Sequence, residues 1–136
     1  MIQLPEPVWA EMVAHALDGL PNEACGLFAA RPGSPKISRF YRCRNADESA
    51  RTYTVHPQDH LRADRDADER GLEIVGVMHS HTHSEPYPSP TDVAKAEALG
   101  DWHFVIVSLR RGDPEVRCYR IVDGNISEEE VVPLRQ

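Results

Sequence analysis

The chain has 136 residues, a length typical of one compact domain, and we predict a single domain over residues 1–136. Its formal net charge of −7 at pH 7 disfavours nucleic-acid binding, because contacts to phosphate require a basic face. The three cysteines are odd in number and widely spaced, and no apolar run approaches the roughly 18 residues of a membrane span, so we expect a cytoplasmic protein without disulfides or membrane segments.

The first part of the chain predicts one amphipathic helix followed by strands. The helical pattern opens at Pro5 and Pro7, repeats apolar residues every three or four positions, and stops at Pro21. A short apolar run and a stretch of alternating residues then indicate two strands. In chain order, the predictions after the helix are strands at 25–30 and 36–43, a loop at 44–51 and a short strand at 53–55.

The second part alternates helices and strands in mixed order. A polar helix begins at a proline and ends before a glycine. The same start and stop residues flank a second helix after the HSHTHS stretch. The predicted elements are helices at 57–70 and 89–99, strands at 73–78, 102–109 and 116–122, and a short strand after Asp123-Gly124. With about six strands and three helices in mixed order, we predict an α+β fold.

Two histidines, His79 and His81, follow the predicted strand at 73–78 and are separated by one residue. In an extended chain, positions i and i+2 point to the same side, so both imidazoles are available to one metal ion. The same pattern also arises in an ordinary polar loop after a strand. The pair alone therefore leaves both interpretations open.

Residues 89–92, Ser-Pro-Thr-Asp, have the form of a helix start, with Ser89 at the N-cap and Asp92 in the first turn. Asp92 would also complete a set with the two histidines and leave the fourth tetrahedral position to water, as in catalytic zinc sites. The two roles are compatible, because a helix start that faces the histidines presents both side chains to them.

Glu23 lies between the first helix and the predicted strand at 25–30. A metal-dependent hydrolase needs a base that is not itself a metal ligand, and a glutamate anchored by a nearby strand suits this role. The competing interpretation is a solvated loop glutamate.

Together these residues resemble the signature of the JAMM/MPN+ zinc metalloproteases. That signature is a distant Glu followed by H-[ST]-H-x7-S-x2-D, and Glu23, the HSH at 79–81, Ser89 and Asp92 match it. The E-x-C-G-L context of Glu23 and the stretches GVMHSHTH and YPSPTD make the chain most similar to small stand-alone bacterial members, such as the Mec type. The resemblance implies a single MPN/JAMM-type domain with a mixed, curved β-sheet.

The resemblance also implies a role for each position. His79, His81 and Asp92 would hold one zinc ion per chain, with water in the fourth position. Glu23 would act as the general base, and Ser89 would donate a hydrogen bond to the oxyanion. The implied reaction is hydrolysis of the amide bond after the C-terminal Gly-Gly of a ubiquitin-like sulfur-carrier protein, with release of cysteine or a short tail. A homodimer is one of the assemblies open to a small sheet domain.

The chain departs from the family pattern after the second histidine, where Thr82 and His83 replace a proline found in many members. His83 is a competing ligand by its spacing from His81. The favoured alternative is a solvent-facing or substrate-lining residue, because another histidine ligand would fill the position that water needs. The loop at 44–51 and the stretch at 84–88 are the candidates for substrate contacts.

Two other functions stay open. One is a zinc hydrolase acting on another small molecule or peptide, although the chain lacks the HxHxDH of metallo-β-lactamases and the length of the barrels that carry HxH elsewhere. The other is a non-catalytic module that binds ubiquitin-like partners. A cysteine nucleophile is disfavoured, because no Cys–His pairing is evident for Cys25 and a buried strand position is its expected place.

Overall fold

The computed structural model describes residues 1–135 and shows three helices and eight strands among them. In chain order these are β1 (Ile2–Pro5), α1 (Glu6–Gly19), β2 (Cys25–Ala30), β3 (Ile37–Cys43), α2 (Pro57–Glu69), β4 (Glu73–His81), α3 (Pro90–Leu99), β5 (His103–Ser108), β6 (Glu115–Val122), β7 (Asn125–Glu129) and β8 (Val131–Leu134). Six strands form one mixed sheet in the order β3-β2-β4-β5-β6-β7, and β1 pairs with β8 in parallel beside it. This confirms the predicted α+β class, while the predicted curvature stays a prediction.

Helices cover both faces of the six-stranded sheet. In β5, Val105 and Val107 pack on the side covered by α1, whereas Phe104 and Ile106 pack on the side covered by α2 and α3. Successive side chains of a strand point to opposite faces, so a strand covered on both sides is apolar throughout. This explains why β2 and β5 read as continuous apolar runs in the sequence.

The connection from β4 to β5 determines where the candidate site lies. These two strands are parallel neighbours, and the crossover between them contains α3. The chain leaves the carboxyl end of β4 and re-enters the fold at the N-terminus of α3, so these two ends meet at one edge of the sheet. His79 and His81 share the face of β4 that carries Val77, which is the face covered by α2 and α3.

Several boundaries differ from the sequence-based prediction. β4 continues to His81 instead of stopping at Met78, because its ladder with β5 extends to the pair His81 and Ser108. Residues 53–55 form only an isolated bridge between Asn45 and Val55. The β1–β8 pair was not predicted, since its two strands are short and far apart in sequence. None of the described helices combines the length and the apolarity needed to cross a bilayer.

Candidate metal centre

Three side-chain atoms converge at the carboxyl end of β4. The Nε2 atoms of His79 and His81 are 3.1 Å apart, and the Oδ2 atom of Asp92 lies 3.2 Å and 3.1 Å from them. All three residues are buried. Two imidazole nitrogens and a carboxylate oxygen are donors that zinc accepts, and a cation would bind the lone pairs that they direct at one point. These residues therefore could hold a metal ion.

The ring of His81 is oriented by the loop after β4. Its Nδ1–H donates to the carbonyl oxygen of Glu85 at 2.8 Å, which leaves the lone pair of Nε2 directed at the cluster. The ring of His79 is oriented by packing instead, since it stacks on Tyr53 with centroids 4.3 Å apart and planes at 16°. Its Nδ1 is buried without a hydrogen-bond partner among residues 1–135. Tyr53 thus performs for His79 the orienting role that Glu85 performs for His81.

Lys95 of α3 fixes the segment that carries Tyr53. Its ammonium group donates to the Tyr53 carbonyl oxygen, to Thr54 Oγ1 at 2.7 Å and to Asp47 Oδ2 at 3.4 Å. The same helix that supplies Asp92 therefore also fastens the loop whose tyrosine supports His79. No sequence pattern identified Tyr53 or Lys95 as part of the site, because their roles depend on contacts across the fold.

The start of α3 is the predicted helix cap and faces the cluster. Ser89 Oγ accepts a hydrogen bond from the Asp92 N–H at 3.1 Å, and Asp92 Oδ2 accepts one from the Ser89 N–H at 2.9 Å, which together form a capping box. The Ser89 hydroxyl acts as an acceptor in this cap, so its own proton stays available to a substrate.

Glu23 lies beside the same centre and is 5% exposed, unlike a solvated loop residue. Its N–H donates to the Ser49 carbonyl at 2.8 Å, and Asn45 Nδ2 donates to its carbonyl oxygen at 3.0 Å, so its backbone is fixed. Its Oε1 is buried and has no hydrogen-bond partner within the described chain. Burial raises the pKa of Glu23 to about 7, which is a suitable value for a group that exchanges protons at neutral pH.

A cleft of about 550 Å³ opens the centre to solvent. It is lined by Glu23, Ala50, Arg51, His81, Thr82, His83, Ser84 and Ser89. The two segments predicted to contact a substrate, the loop at 44–51 and the stretch at 84–88, both contribute to this lining. His83 is exposed on the cleft wall and lies outside the three-residue cluster.

Burial and mutual hydrogen bonds act in opposite directions on the pKa values of the cluster. Burial would raise the pKa of Asp92, but its hydrogen bonds with His79 and His81 outweigh burial and hold that pKa well below its usual range. Burial also opposes a charge on His81, yet the hydrogen bonds of its ring with Asp92 and the Glu85 carbonyl raise its pKa. For the fully buried His79, desolvation dominates and lowers the pKa. The protein thus favours an ionised carboxylate and a neutral His79, the states in which both bind metals.

Other reactive residues lie outside this centre. Cys25, Cys43 and Cys118 are buried and unbridged in the described chain, and burial raises the pKa of the Cys25 thiol, which disfavours it as a nucleophile. A second cluster joins Cys118 with His103 and Glu129. There the Arg120 guanidinium lies 3.3 Å from the His103 ring nitrogens and supplies positive charge that disfavours a metal cation.

The chain is similar to known proteins in both sequence and fold. Residues 5–122 match the family described as prokaryotic homologs of the JAB domain. Over 131 residues the chain is 44% identical to the CysO-cysteine peptidase of Mycobacterium tuberculosis (strain ATCC 25618 / H37Rv), covering 92% of this chain and 86% of that protein.

Two solved structures share the fold. A protein from Desulfitobacterium hafniense, solved in solution, superposes with a TM-score of 0.85 at 30% identity, covering 100% of this chain and 94% of that chain. A JAB1/MPN domain protein from Archaeoglobus fulgidus superposes with a TM-score of 0.66, covering 98% and 97% of the two chains. At 14% identity, this second likeness concerns the fold alone.

Proposed function

The chain belongs to the family of prokaryotic JAB-domain proteins and is a JAMM-type metallopeptidase, and on that premise we propose that it releases cysteine or a short tail from the C-terminal Gly-Gly of a ubiquitin-like sulfur-carrier protein. The observation that carries this proposal is the convergence of His79, His81 and Asp92 beside a cleft that Glu23 and Ser89 also line. The 44% identity with a CysO-cysteine peptidase supports this substrate class.

His79, His81 and Asp92 would hold one zinc ion per chain. When bound, the ion would supply Lewis acidity, which lowers the pKa of a water molecule and polarises a carbonyl group. The protein itself orients the ligand atoms: the Glu85 carbonyl accepts a hydrogen bond from the His81 ring, and Tyr53 stacks on the His79 ring.

Glu23 would take the proton of the attacking water and return it to the leaving amine. Its free Oε1 and its fixed backbone suit a base that must accept a proton without changing place. Ser89 would donate a hydrogen bond from its hydroxyl to the substrate oxygen on which negative charge develops. The capping box supports this role, because it fixes Ser89 Oγ without using the hydroxyl proton.

A Gly-Gly end suits this cleft, because it has no side chains beyond the backbone and can lie against the cleft wall in extended form. The carrier itself would be recognised outside the cleft, by the surface around its rim. A homodimer of this protein stays a prediction.

The test is a cleavage assay with metal analysis. Purified protein is expected to contain zinc and to release cysteine from a carrier that ends in Gly-Gly-Cys. Glu23→Gln should retain the zinc and lose about 10²–10⁴ in kcat, the usual contribution of a general base. Glu69→Gln, which changes an exposed glutamate of α2, is the matched control and should cleave like the unmodified protein.

Two results would contradict the proposal separately. Zinc-loaded protein that cleaves no Gly-Gly carrier would rule out the reaction. A Glu23→Gln variant that binds zinc and cleaves at the normal rate would rule out this residue as the base.

A further inference from the structure

Arg51 is the one arginine or lysine among the described residues that line the cleft. Its side chain is exposed, and within residues 1–135 it forms no ion pair and no side-chain hydrogen bond, unlike Arg42 and Arg44 in the same region, which contact acidic residues. A guanidinium carries several N–H donors in a planar fork that matches a carboxylate. Arg51 therefore presents an unused carboxylate-binding group to the space where the substrate tail ends.

The backbone that carries Arg51 is firmly attached to the site. Asn45 Nδ2 donates to the carbonyl oxygens of both Glu23 and Thr52 at 3.0 Å, and Asn45 Oδ1 accepts from the Thr54 N–H at 3.1 Å. From the other side of the cleft, the Thr82 hydroxyl donates to the Ala50 carbonyl at 3.4 Å. The position of Arg51 relative to the cleft is thus set by the residues around the metal centre.

A single-residue leaving group brings its own carboxylate close to this centre. The carboxyl carbon of an amino acid lies only about 2.5 Å from its own nitrogen, as standard bond lengths dictate. When that nitrogen belongs to the scissile bond, the free α-carboxylate must enter the same cleft. There it approaches the carboxylate of Glu23, which also lines the cleft, and like charges at short range repel. Among the lining residues, Arg51 is placed to offset this repulsion.

We propose that Arg51 binds the free α-carboxylate of the residue that is released and thereby makes the enzyme select carriers that end one residue after Gly-Gly. This inference rests on the proposed function and adds a specificity determinant to it. An isopeptide-linked protein or a longer tail places its carboxylate elsewhere and would gain nothing from Arg51.

The experiment compares two substrates that differ only in charge. One carrier ends in Gly-Gly-Cys with a free carboxylate, and the other ends in the corresponding carboxamide. The zinc-loaded protein should cleave the free acid with a kcat/KM about 10- to 100-fold higher, the range expected for a charge-assisted hydrogen bond. Arg51→Ala should remove this preference by slowing only the free acid, and Arg51→Lys should keep part of it. Arg31→Ala, at an exposed arginine in a turn away from the cleft, is the matched control.

Binding gives an independent readout. In the Glu23→Gln background, the dissociation constant for the free acid should rise with Arg51→Ala by a similar factor, while that for the carboxamide stays within about twofold. The inference is overturned if the unmodified protein cleaves both substrates equally, or if Arg51→Ala slows both or neither. If the unmodified protein cleaves neither substrate, the proposed function fails instead.

Discussion

At the scale of single residues, one carboxylate oxygen joins local structure to the candidate site. Asp92 Oδ2 accepts the Ser89 N–H in the helix cap and also points at the two histidine nitrogens. The sequence predicted a helix start and a metal ligand as two compatible roles of the same residues. They coincide because a carboxylate oxygen has more than one lone pair.

Ser89 allows the cap and the proposed catalytic role to be separated. Ser89→Ala should lose about 10²–10³ in kcat, because an oxyanion donor is removed, and should also lower the free energy of unfolding by about 1 kcal/mol, because the N-cap acceptor is removed. Ser89→Gly should show the same loss of kcat, but it should lower the free energy of unfolding by only about a few tenths of a kcal/mol, since glycine is tolerated at an N-cap. Steady-state kinetics and urea unfolding of both variants provide the measurements.

The proposed donor role of Ser89 would be contradicted if either variant kept normal kcat with zinc bound. If the alanine and glycine variants had equal free energies of unfolding, the N-cap hydrogen bond of Ser89 would contribute nothing to stability.

At the scale of elements, a buried carboxylate attaches α2 to the end of β3. Asp59 is in the first turn of α2 and accepts hydrogen bonds from Arg44 at its N–H (2.7 Å), its Nε (3.0 Å) and its Nη2 (3.1 Å). The hydrogen bonds from Arg44 lower the pKa of Asp59 to about 2. This contact also fixes the chain where the loop that carries Arg51 begins.

Asp59→Asn should lower the free energy of unfolding by about 1.5–3 kcal/mol at pH 7, the usual value of hydrogen bonds to a charged group. The pKa of Asp59 is about 2 when folded and near 3.9 in an unfolded chain, so the unfolded state binds the proton first as pH falls. The stabilisation is therefore nearly complete above about pH 5 and is lost progressively between about pH 5 and 1. Thermal unfolding of both proteins across this range should show their Tm difference shrinking in acid.

Asp68→Asn is the control for this measurement, because Asp68 is exposed on the same helix. It should unfold like the unmodified protein at every pH. A Tm difference between the Asp59 variant and the unmodified protein that did not shrink between about pH 5 and 2 would contradict the assignment.

Elements were predictable where local signals were strong. The proline and glycine punctuation located α2 and α3 within about two residues, as expected for helices with clear caps. The end of β4 was not predictable, because polar residues such as His79 continue the ladder only when β5 lies alongside. Similarly, residues 53–55 have strand-forming composition, but Tyr53 packs on a histidine instead of joining the sheet.

At the scale of the whole molecule, the centre of the sheet depends on close approach between strands. Gly76 of β4 pairs with Phe28 of β2 and His103 of β5. A Cβ atom at this position would collide with the Phe28 ring and with the His103 carbonyl oxygen. The strand that carries both histidines therefore needs a glycine at its centre.

Gly76→Ala should lower the free energy of unfolding by about 1–3 kcal/mol or more, because the collision displaces backbone and a buried ring. Gly112→Ala is the matched control, since its Cβ would meet no atom within 4 Å. Chemical denaturation of both variants tests this. Equal stability would show that β2 and β5 move apart at little cost.

The residues of the proposed reaction were predictable because they match the family signature at its fixed spacing. Glu23, His79, His81, Ser89 and Asp92 could be named from the sequence, although their chemical roles stay proposals. Arg51 lies in the loop predicted to contact a substrate but could not be singled out within it. Tyr53 and Lys95 could not be named, because only the folded chain brings them to the site. The resemblance to the family signature therefore identified the proposed reactive groups, whereas the supporting residues required the tertiary structure.

The parallel pairing of β1 with β8 has a mechanical consequence. Ile2 lies beside Val131 and Pro5 beside Leu134, so the first residue of β1 and the last residue of β8 are at opposite ends of the pair. A force that pulled these two ends apart would act along the strands and load all their hydrogen bonds together instead of opening them one by one. The β1–β8 pair is thus oriented so that a stretching force shears its strands past each other, the direction in which the pair is most resistant.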